Sequence, residues 1–584
     1  MSHTPERAFR PFGVSWIAVP RPAWSLFTDI PIFALGLALF YAVLMLARYW
    51  SGPLTPQVEI DLRPRALPLY ALYSVLRIGI AYLLSLAFTL VYGYIAAYNR
   101  RAERIMVPLL DILQSIPVLS FLPGVMLAMV SLFPRRQLGL EMGAILLIFT
   151  GQVWNMAFSF YTSLKSIPHE MREAAELYRF SWWQRFTQME LPYSVIGLVW
   201  NSMMSVAGGW FFLMACEMFV LGNRDFRLPG LGSYLQTSAS AGDTRAILWG
   251  LGVLLTVIVL TDQLVWRPVI AWAEKFKFEN VESADVPRSP VLDFIRHSGT
   301  LAFLSRKAAT PVREALAMRF AQKHQDAEQG TPVTLLRKLF LGAIGVAAAA
   351  GVVYAIYRSF VMLSGLGTGE FKVLGISGFV TFVRVAVTLF LGALWTVPAG
   401  VAIGTHPKLA RFAQPLAQIA ASVPATALFP VVLLALVRVG GGLGIGSIVL
   451  LLLGTQWYIL FNVIAGASAI PTDLKEVCHV CRLSRYQRWR KLVLPAIFPH
   501  LVTGLVTASG GAWNASIIAE YFHLKGQIYS TVGLGAVISQ ASDDGNFAVL
   551  LAATILMATI VVTINRLVWR RLYGLAATKF RLEM

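Results

Sequence analysis

The sequence predicts an all-α polytopic membrane protein made of two tandem six-helix units, about 12 transmembrane helices in all, related by a pseudo-two-fold axis along the membrane normal. Three observations predict it. Hydrophobic residues make up 57% of the 584 and charged ones 14%, with a mean hydropathy of +0.64, which is more apolar surface than a water-soluble domain of this length tolerates. Twelve apolar runs approach the ~20 residues that cross a bilayer. The second half also repeats the first in register for about a hundred residues.

In chain order, the first 30 residues carry Arg7, Arg10 and Arg21 but no short apolar core with a small-residue cleavage site, so no removable signal peptide is expected. Apolar runs near 31–48, 69–97, 105–132, 138–161, 193–221 and 246–270 form a first unit, 1–272, with its core at about 70–272. Residues 273–336 break the pattern with charges and with Pro287, Pro290, Pro311 and Pro332, and read as a cytoplasmic linker. Within it Thr310-Pro311 has the form of a capped helix start. Runs near 338–361, 377–404, 411–437, 443–467, 497–522 and 546–570 form the second unit, 337–584, with its core at about 377–580. The stretch Gly440–Gly446 reads as loop or helix start.

A net charge of +19 in a soluble chain would point to nucleic acid. Here the basic residues mostly follow the positive-inside rule, so the expected partner is membrane lipid and no nucleic acid. Lys408, Arg411, Lys475, Arg482, Arg485, Arg488, Arg490 and Lys491 fall on one side of the second half, against Lys372, Arg438 and Lys525 on the other. The first half is less regular, with Arg63, Arg65, Arg224 and Arg227 on the expected outer side. Both termini and both repeated loops are expected in the cytoplasm. Cys216, Cys478 and Cys481 exclude a disulfide framework. Cys478-His479-Val480-Cys481 has metal-like spacing but no second pair, and reads as small residues on a helix; no metal site is expected.

The repeat is sharpest in a polar loop. Ile167-Pro168-His169-Glu170-Met171-Arg172-Glu173-Ala174-Ala175, continuing to Leu191-Pro192, recurs as Ile470-Pro471-Thr472-Asp473-Leu474-Lys475-Glu476-Val477-Cys478, continuing to Leu494-Pro495. An offset of 303 relates the copies, and carries Trp210 onto Trp513, Glu217 onto Glu520 and Gly232 onto Gly535. An offset of 307 maps Arg77 onto Arg384 and Pro117 onto Pro424, which places a four-residue insertion between the third and fourth spans of the second half, near the glycine run. Each loop has the grammar of a short isolated helix, with a first-turn proline and an early acid at Glu170 or Asp473. Its small residues, Ala174 and Ala175 or Val477 and Cys478, let a partner surface approach.

Glu-Ala-Ala followed by Leu-Pro resembles the signature loop of permease subunits of ATP-binding-cassette importers, and Ser74-Val75-Leu76-Arg77-Ile78-Gly79, Ser115-Ile116-Pro117 and Ser422-Val423-Pro424 are most similar to the nitrate, sulfonate and taurine branch. The resemblance implies that each loop is a coupling helix docking into a cleft of a cytoplasmic ATPase. Glu173, Ala174, Ala175 and Arg179, with Glu476, Val477, Cys478 and Arg482, are then the coupling residues. Arg179 and Arg482 stand where the family usually has Gly, and Val477-Cys478 replaces two alanines. The implied partners are two ATPase subunits, which would hold ATP and magnesium, and a periplasmic or lipid-anchored solute-binding protein. The chain has no Gly-Lys dipeptide and so no phosphate-binding loop of its own; no cofactor and no catalytic residue are expected on it.

For the solute, Arg77 and Arg384 lie inside apolar runs, where charge is costly and often functional. They either hold an oxyanion or anchor helices and the interface. Glu217 and Glu520 either gate the path or neutralise these arginines, and Trp210 and Trp513 read as packing first and path lining second. The expected function is import of a small solute, with an anion such as nitrate, sulfonate or taurine in view. The rivals are a twelve-span secondary transporter driven by an ion gradient, which would not need the two loops, and a scaffold or sensor that only recruits an ATPase.

Overall fold

In the computed structural model the described residues are 59–133, 137–221, 224–276, 289–296, isolated positions in 343–354, 357–438, 442–468, 470, 472–524 and 527–579. The first expected span, half of the seventh, the bulk of the linker and both termini lie outside them. Among the described residues eight helices are long and apolar enough to cross a membrane: Pro64–Tyr98, Leu138–Lys165, Trp182–Glu217 and Thr244–Ala273, then Thr368–Thr405, Leu443–Ser468, Arg485–Ala519 and Phe547–Ala576. The fold is all-α, with two units of four long helices in the same order.

Each unit runs alike. In the first, α1 (Leu67–Tyr98), α2 (Arg100–Ser115), α3 (Leu122–Leu132), α4 (Leu138–Lys165), the loop helix α5 (His169–Leu177) and α6 (Leu191–Glu217) lead to a short hairpin, β1 (Val220–Leu221) and β2 (Arg224–Asp225). Then follow α7 (Leu231–Ala241) and α8 (Thr244–Thr261). In the second, α9 (Thr368–Thr405), α10 (Pro407–Ser422), α11 (Ala425–Arg438), α12 (Leu443–Ser468), the loop helix α13 (Thr472–Val480) and α14 (Leu494–Ala519) lead to β3 (Tyr521–Leu524) and β4 (Gln527–Ser530). That unit ends with α15 (Leu534–Asp543) and α16 (Phe547–Ile564). Because α6 and α14 run from the loop helices to the hairpins, these two features mark opposite ends of each unit.

The third expected span of each unit is corrected by the structure: it is two helices, not one. Ile116 and Val423 precede prolines, whose rings push the preceding residue out of the helical region; they sit at φ −79°, ψ 125° and φ −75°, ψ 118°. The chain breaks there, and the first of each pair is polar enough to begin outside the apolar layer, with Asn99 accepting from the amides of Arg101 and Ala102 to cap α2. The length difference between the units is also the reverse of the expectation. The first unit is four residues longer between Pro123 and Trp210 than the second between Pro430 and Trp513, so the insertion belongs to the first, around 133–137. Of the described part of the glycine run, Gly442 lies outside the helix and α12 begins at Leu443.

Two local irregularities are duplicated as well. π-turns at Phe186–Glu190 and Trp489–Val493 open α6 and α14, and others at Asp262–Trp266 and Asn565–Trp569 follow α8 and α16. Each pair is related by the offset of 303, and such turns concentrate where helices carry function. One buried apolar cluster runs through both units, from Leu67 and Trp210 to Trp513 and Ala553. The units also meet by polar contacts: the Leu119 amide donates to Asn514 Oδ1 at 3.4 Å, and Thr554 Oγ1 donates to the Ser120 carbonyl at 3.2 Å.

Candidate functional site

At the hairpin end the repeat builds the same polar cradle twice. In the first unit Arg77 Nη1 donates to Glu217 Oε1 at 2.7 Å and to the Pro229 carbonyl at 2.8 Å, and Ser74 Oγ donates to the same carboxylate oxygen at 2.7 Å. Glu217 Oε2 accepts from the Gly232 amide at 2.7 Å, while Ser74 accepts from Leu231 at 3.0 Å. The carboxylate therefore closes the amino end of α7, where backbone amides and the helix dipole favour negative charge. In the second unit Arg384 pairs with Glu520, and its Nη2 donates to the Val532 carbonyl at 3.1 Å. Thr381 stands for Ser74, donating to Glu520 at 2.9 Å and accepting from Leu534 at 2.8 Å, and Gly535 donates to Glu520 at 2.8 Å. Glycine is required at Gly230 and Gly533 because a Cβ at either would fall on the Glu217 or Glu520 carboxylate.

The copies differ in one charge. Arg77 also binds Glu141 through both oxygens, Nε to Oε2 at 2.6 Å and Nη2 to Oε1 at 2.7 Å, and is fully buried. The offset of 303 places Gly444 opposite Glu141, so among the described residues Arg384 meets a single carboxylate, and it stays 7% exposed. Sequence reasoning paired neither arginine with Glu141, although a lone carboxylate inside an apolar run is the same signal that singled out Arg77. With two carboxylates and a carbonyl on its guanidinium, Arg77 is engaged by the protein in this arrangement, as an anchor of α1, α4 and α6. Trp210 and Trp513 are buried in the common core.

At the other end lie the loop helices. The structure gives the Gly-replacing arginines a definite place: Arg179 and Arg482, at φ 48° and 47°, are the two non-glycine residues with left-handed backbone among the described residues. Each follows its helix and turns the chain so that a later amide reaches back, Phe180 to the Ala175 carbonyl at 2.9 Å and Leu483 to Cys478 at 3.1 Å. This is the helix-ending bond that glycine ordinarily makes easiest, which explains why the position favours glycine and what arginine costs there. Ala175 and Cys478, 5% and 8% exposed, are turned toward the permease; Ala175 packs with Leu164, Ile167 and Met189. Ala174, Val477, Glu173 and Glu476 are exposed, and His169 Nδ1 lies 3.0 Å from Glu173 Oε1. The exposed pairs, unlike Ala175 and Cys478, face away from the rest of the chain. Cys478 is buried and Cys481 exposed.

Behind the first loop helix, Glu190 accepts from Tyr98 at 2.6 Å and from Arg185 Nε at 2.7 Å, tying the start of α6 to the end of α1. Val493 occupies the corresponding position, so only the first unit has this tie. At the start of α2, hydrogen bonds from Tyr161 and then Lys165, near the end of α4, hold the Glu103 carboxyl below the usual carboxylate range.

Between the units, near the hairpins, lies a cavity of about 280 Å³, and deeper along the same seam a smaller one of about 90 Å³ bordered by Phe211, Pro424, Trp457 and Asn514.

A polytopic protein with two equivalent loop helices, two buried cradles and a seam of cavities between its halves has the architecture of a two-unit membrane permease. The family described as "Binding-protein-dependent transport system inner membrane component" matches residues 89–264 and again 396–574, and the chain belongs to that family, with two of its units in tandem. Among curated relatives, the nitrate import permease protein NrtB of Synechocystis sp. is 27% identical over 200 residues, 34% of this chain and 69% of that protein. The bicarbonate transport system permease protein CmpB of the same organism is 29% identical over 183 residues, 31% of this chain and 62% of the relative. The taurine transport system permease protein TauC of Escherichia coli is 26% identical over 178 residues, 30% of this chain and 61% of the relative.

Proposed function

We propose that this chain is the two-unit permease of an ATP-driven importer that carries a small solute bearing an anionic group across the bacterial inner membrane. The observation that carries the reading is the pair of loop helices, each ending in the same left-handed arginine and presenting Glu173 or Glu476 outward. Two ATPase subunits, holding ATP and magnesium, would grip these helices from the cytoplasm. Their closure would draw the helices together and rock the units between inward-facing and outward-facing states, a two-state change driven by differential binding. The hairpin end would then face outward and receive a solute-binding protein, and both termini would lie in the cytoplasm. The anionic character of the solute is supported by the names of the nitrate, bicarbonate and taurine relatives.

Reconstitution tests it. Vesicles holding the permease, its ATPase and its binding protein should accumulate solute only with ATP, and the permease alone should hydrolyse none. Uptake driven by a proton or sodium gradient without the ATPase would refute the proposal in favour of a secondary transporter. Recruitment of the ATPase with no flux of any solute would refute it in favour of a scaffold.

A further inference from the structure

At the loop-helix end the two units neutralise their arginines differently. In the first, Arg185 is held by Glu190 at 2.7 Å, and Arg267 lies 3.5 Å from Asp262. The offset of 303 carries these arginines onto Arg488 and Arg570, but carries Glu190 onto Val493 and Asp262 onto Asn565. Both counter-charges are therefore missing from the second unit. Further charge is added there: Arg485, Arg490 and Lys491 stand for Trp182, Thr187 and Gln188, and Arg566 and Arg571 for Gln263 and Pro268. All these basic side chains of the second unit are exposed, and among the described residues none pairs with a carboxylate.

They gather at one end. The continuous helix Arg485–Ala519 begins where the antiparallel helix Phe547–Ala576 finishes, and α17 (Arg570–Lys579) packs against α14. The hydrocarbon layer takes only ~20 residues of a helix, and these two run for 35 and 30, so their charged end turns reach the headgroup layer. Exposed Leu494, Leu567 and Val568 lie within a turn or so of the charges, with Trp489 and Trp569 half-buried beside them. Basic, aromatic and apolar side chains on the same turns suit the boundary between hydrocarbon and water. A patch meeting only a soluble partner has no need of exposed Leu567 and Val568 among its arginines. Positive charge at the amino end of α14 also opposes the helix dipole, and like charges this close repel, so an anion from outside the chain stabilises the arrangement.

We propose that this patch binds the headgroup of an anionic phospholipid, with Arg488, Arg490 and Lys491 approaching the phosphate from one helix and Arg566 and Arg570 from the other. Its acyl chains lie along the exposed apolar side chains. The equivalent turns of the first unit, whose arginines are neutralised within the chain, lack the site. The inference goes beyond the permease reading and does not depend on the solute or on ATP.

The test titrates the full detergent-solubilised chain with phosphatidylglycerol or phosphatidylcholine and counts bound lipid by native mass spectrometry. Phosphatidylglycerol should bind about tenfold more tightly or better. Arg488→Gln and Arg570→Gln should each weaken it about fivefold, the worth of one basic residue at a membrane surface, with phosphatidylcholine unchanged. Arg267→Gln, in the first unit, should change neither lipid. Val493→Glu and Asn565→Asp restore the counter-charges of the first unit and should weaken phosphatidylglycerol with every arginine in place; Asn565, only partly buried, serves as the test even where Val493→Glu fails to fold. Equal binding of the two lipids, or phosphatidylglycerol binding retained in both glutamine variants and in Asn565→Asp, would overturn the assignment. Displacement by inorganic phosphate as effectively as by the lipid would overturn it in favour of a free-anion site. Glutamine variants that lose the ATPase on co-purification but keep the lipid would give the patch to the ATPase instead.

Discussion

Removing the Glu520 carboxylate should cost more than removing Glu141, although both pair with a buried arginine. In the first unit Arg77 faces two carboxylates, so Glu141→Gln leaves a one-to-one pair with Glu217 at 2.7 Å and the Pro229 carbonyl at 2.8 Å. What is lost is a charge-assisted contact to a group that keeps another counter-charge, about 1.5–3 kcal/mol. In the second unit Glu520 is the one carboxylate on Arg384 among the described residues, with Gly444 where the other would stand. Glu520→Gln keeps acceptors for Thr381 and Gly535 but strands a nearly buried guanidinium, and breaking such a pair costs about 3–5 kcal/mol. Replacing both partners, Arg384→Met with Glu520→Met, should recover much of that loss because no charge is then left unpaired. The assay is denaturant unfolding of the detergent-solubilised chain, followed by tryptophan fluorescence. Equal losses for Glu141→Gln and Glu520→Gln, or a double variant no more stable than Glu520→Gln, would refute the reasoning.

Three further outcomes are expected. Arg179→Gly and Arg482→Gly should each relieve about 1 kcal/mol of left-handed backbone cost, seen as slower amide exchange at Phe180 and Leu483, whereas Arg→Ala should bring no such gain. Glu173→Lys, Glu476→Lys and Ala174→Trp should reduce co-purification of the ATPase with the fold intact, while Ala175→Trp and Cys478→Trp should unseat the loop helix from its own permease, read as increased proteolysis of the loop even without the ATPase. Gly230→Ala and Gly533→Ala, which drive a methyl against the Glu217 and Glu520 carboxylates, should cost about 1–3 kcal/mol as overpacking does, measured by the same unfolding assay.

Much of the architecture was legible in the chain because it depends on local chemistry. Apolar runs must leave water, and a proline forces its predecessor out of the helical region. A duplicated stretch such as Glu173-Ala174-Ala175 and Glu476-Val477-Cys478 shows its register without any fold. The pairing of charge across helices was not legible. Arg77 and Glu141 are 64 residues apart and Arg77 and Glu217 are 140 apart, and only the packing of α1 against α4 and α6 brings them within hydrogen-bond reach. The sequence could mark each as a charge inside an apolar run, and so left open whether the arginines faced a solute or each other's carboxylates. It likewise offered Ala174 and Ala175 as equal neighbours. Consecutive residues on a helix point about 100° apart, so one faces the permease and the other its surroundings, and which is which follows from how α5 is seated on Leu164 and Met189. The sequence by itself determined a two-unit membrane permease with paired loop helices, because hydropathy and repetition act along the chain. Only the tertiary structure decided which charges neutralise one another and that Arg488 and Arg570 gather at one end of the second unit, because burial and Coulomb energy depend on distances that folding sets.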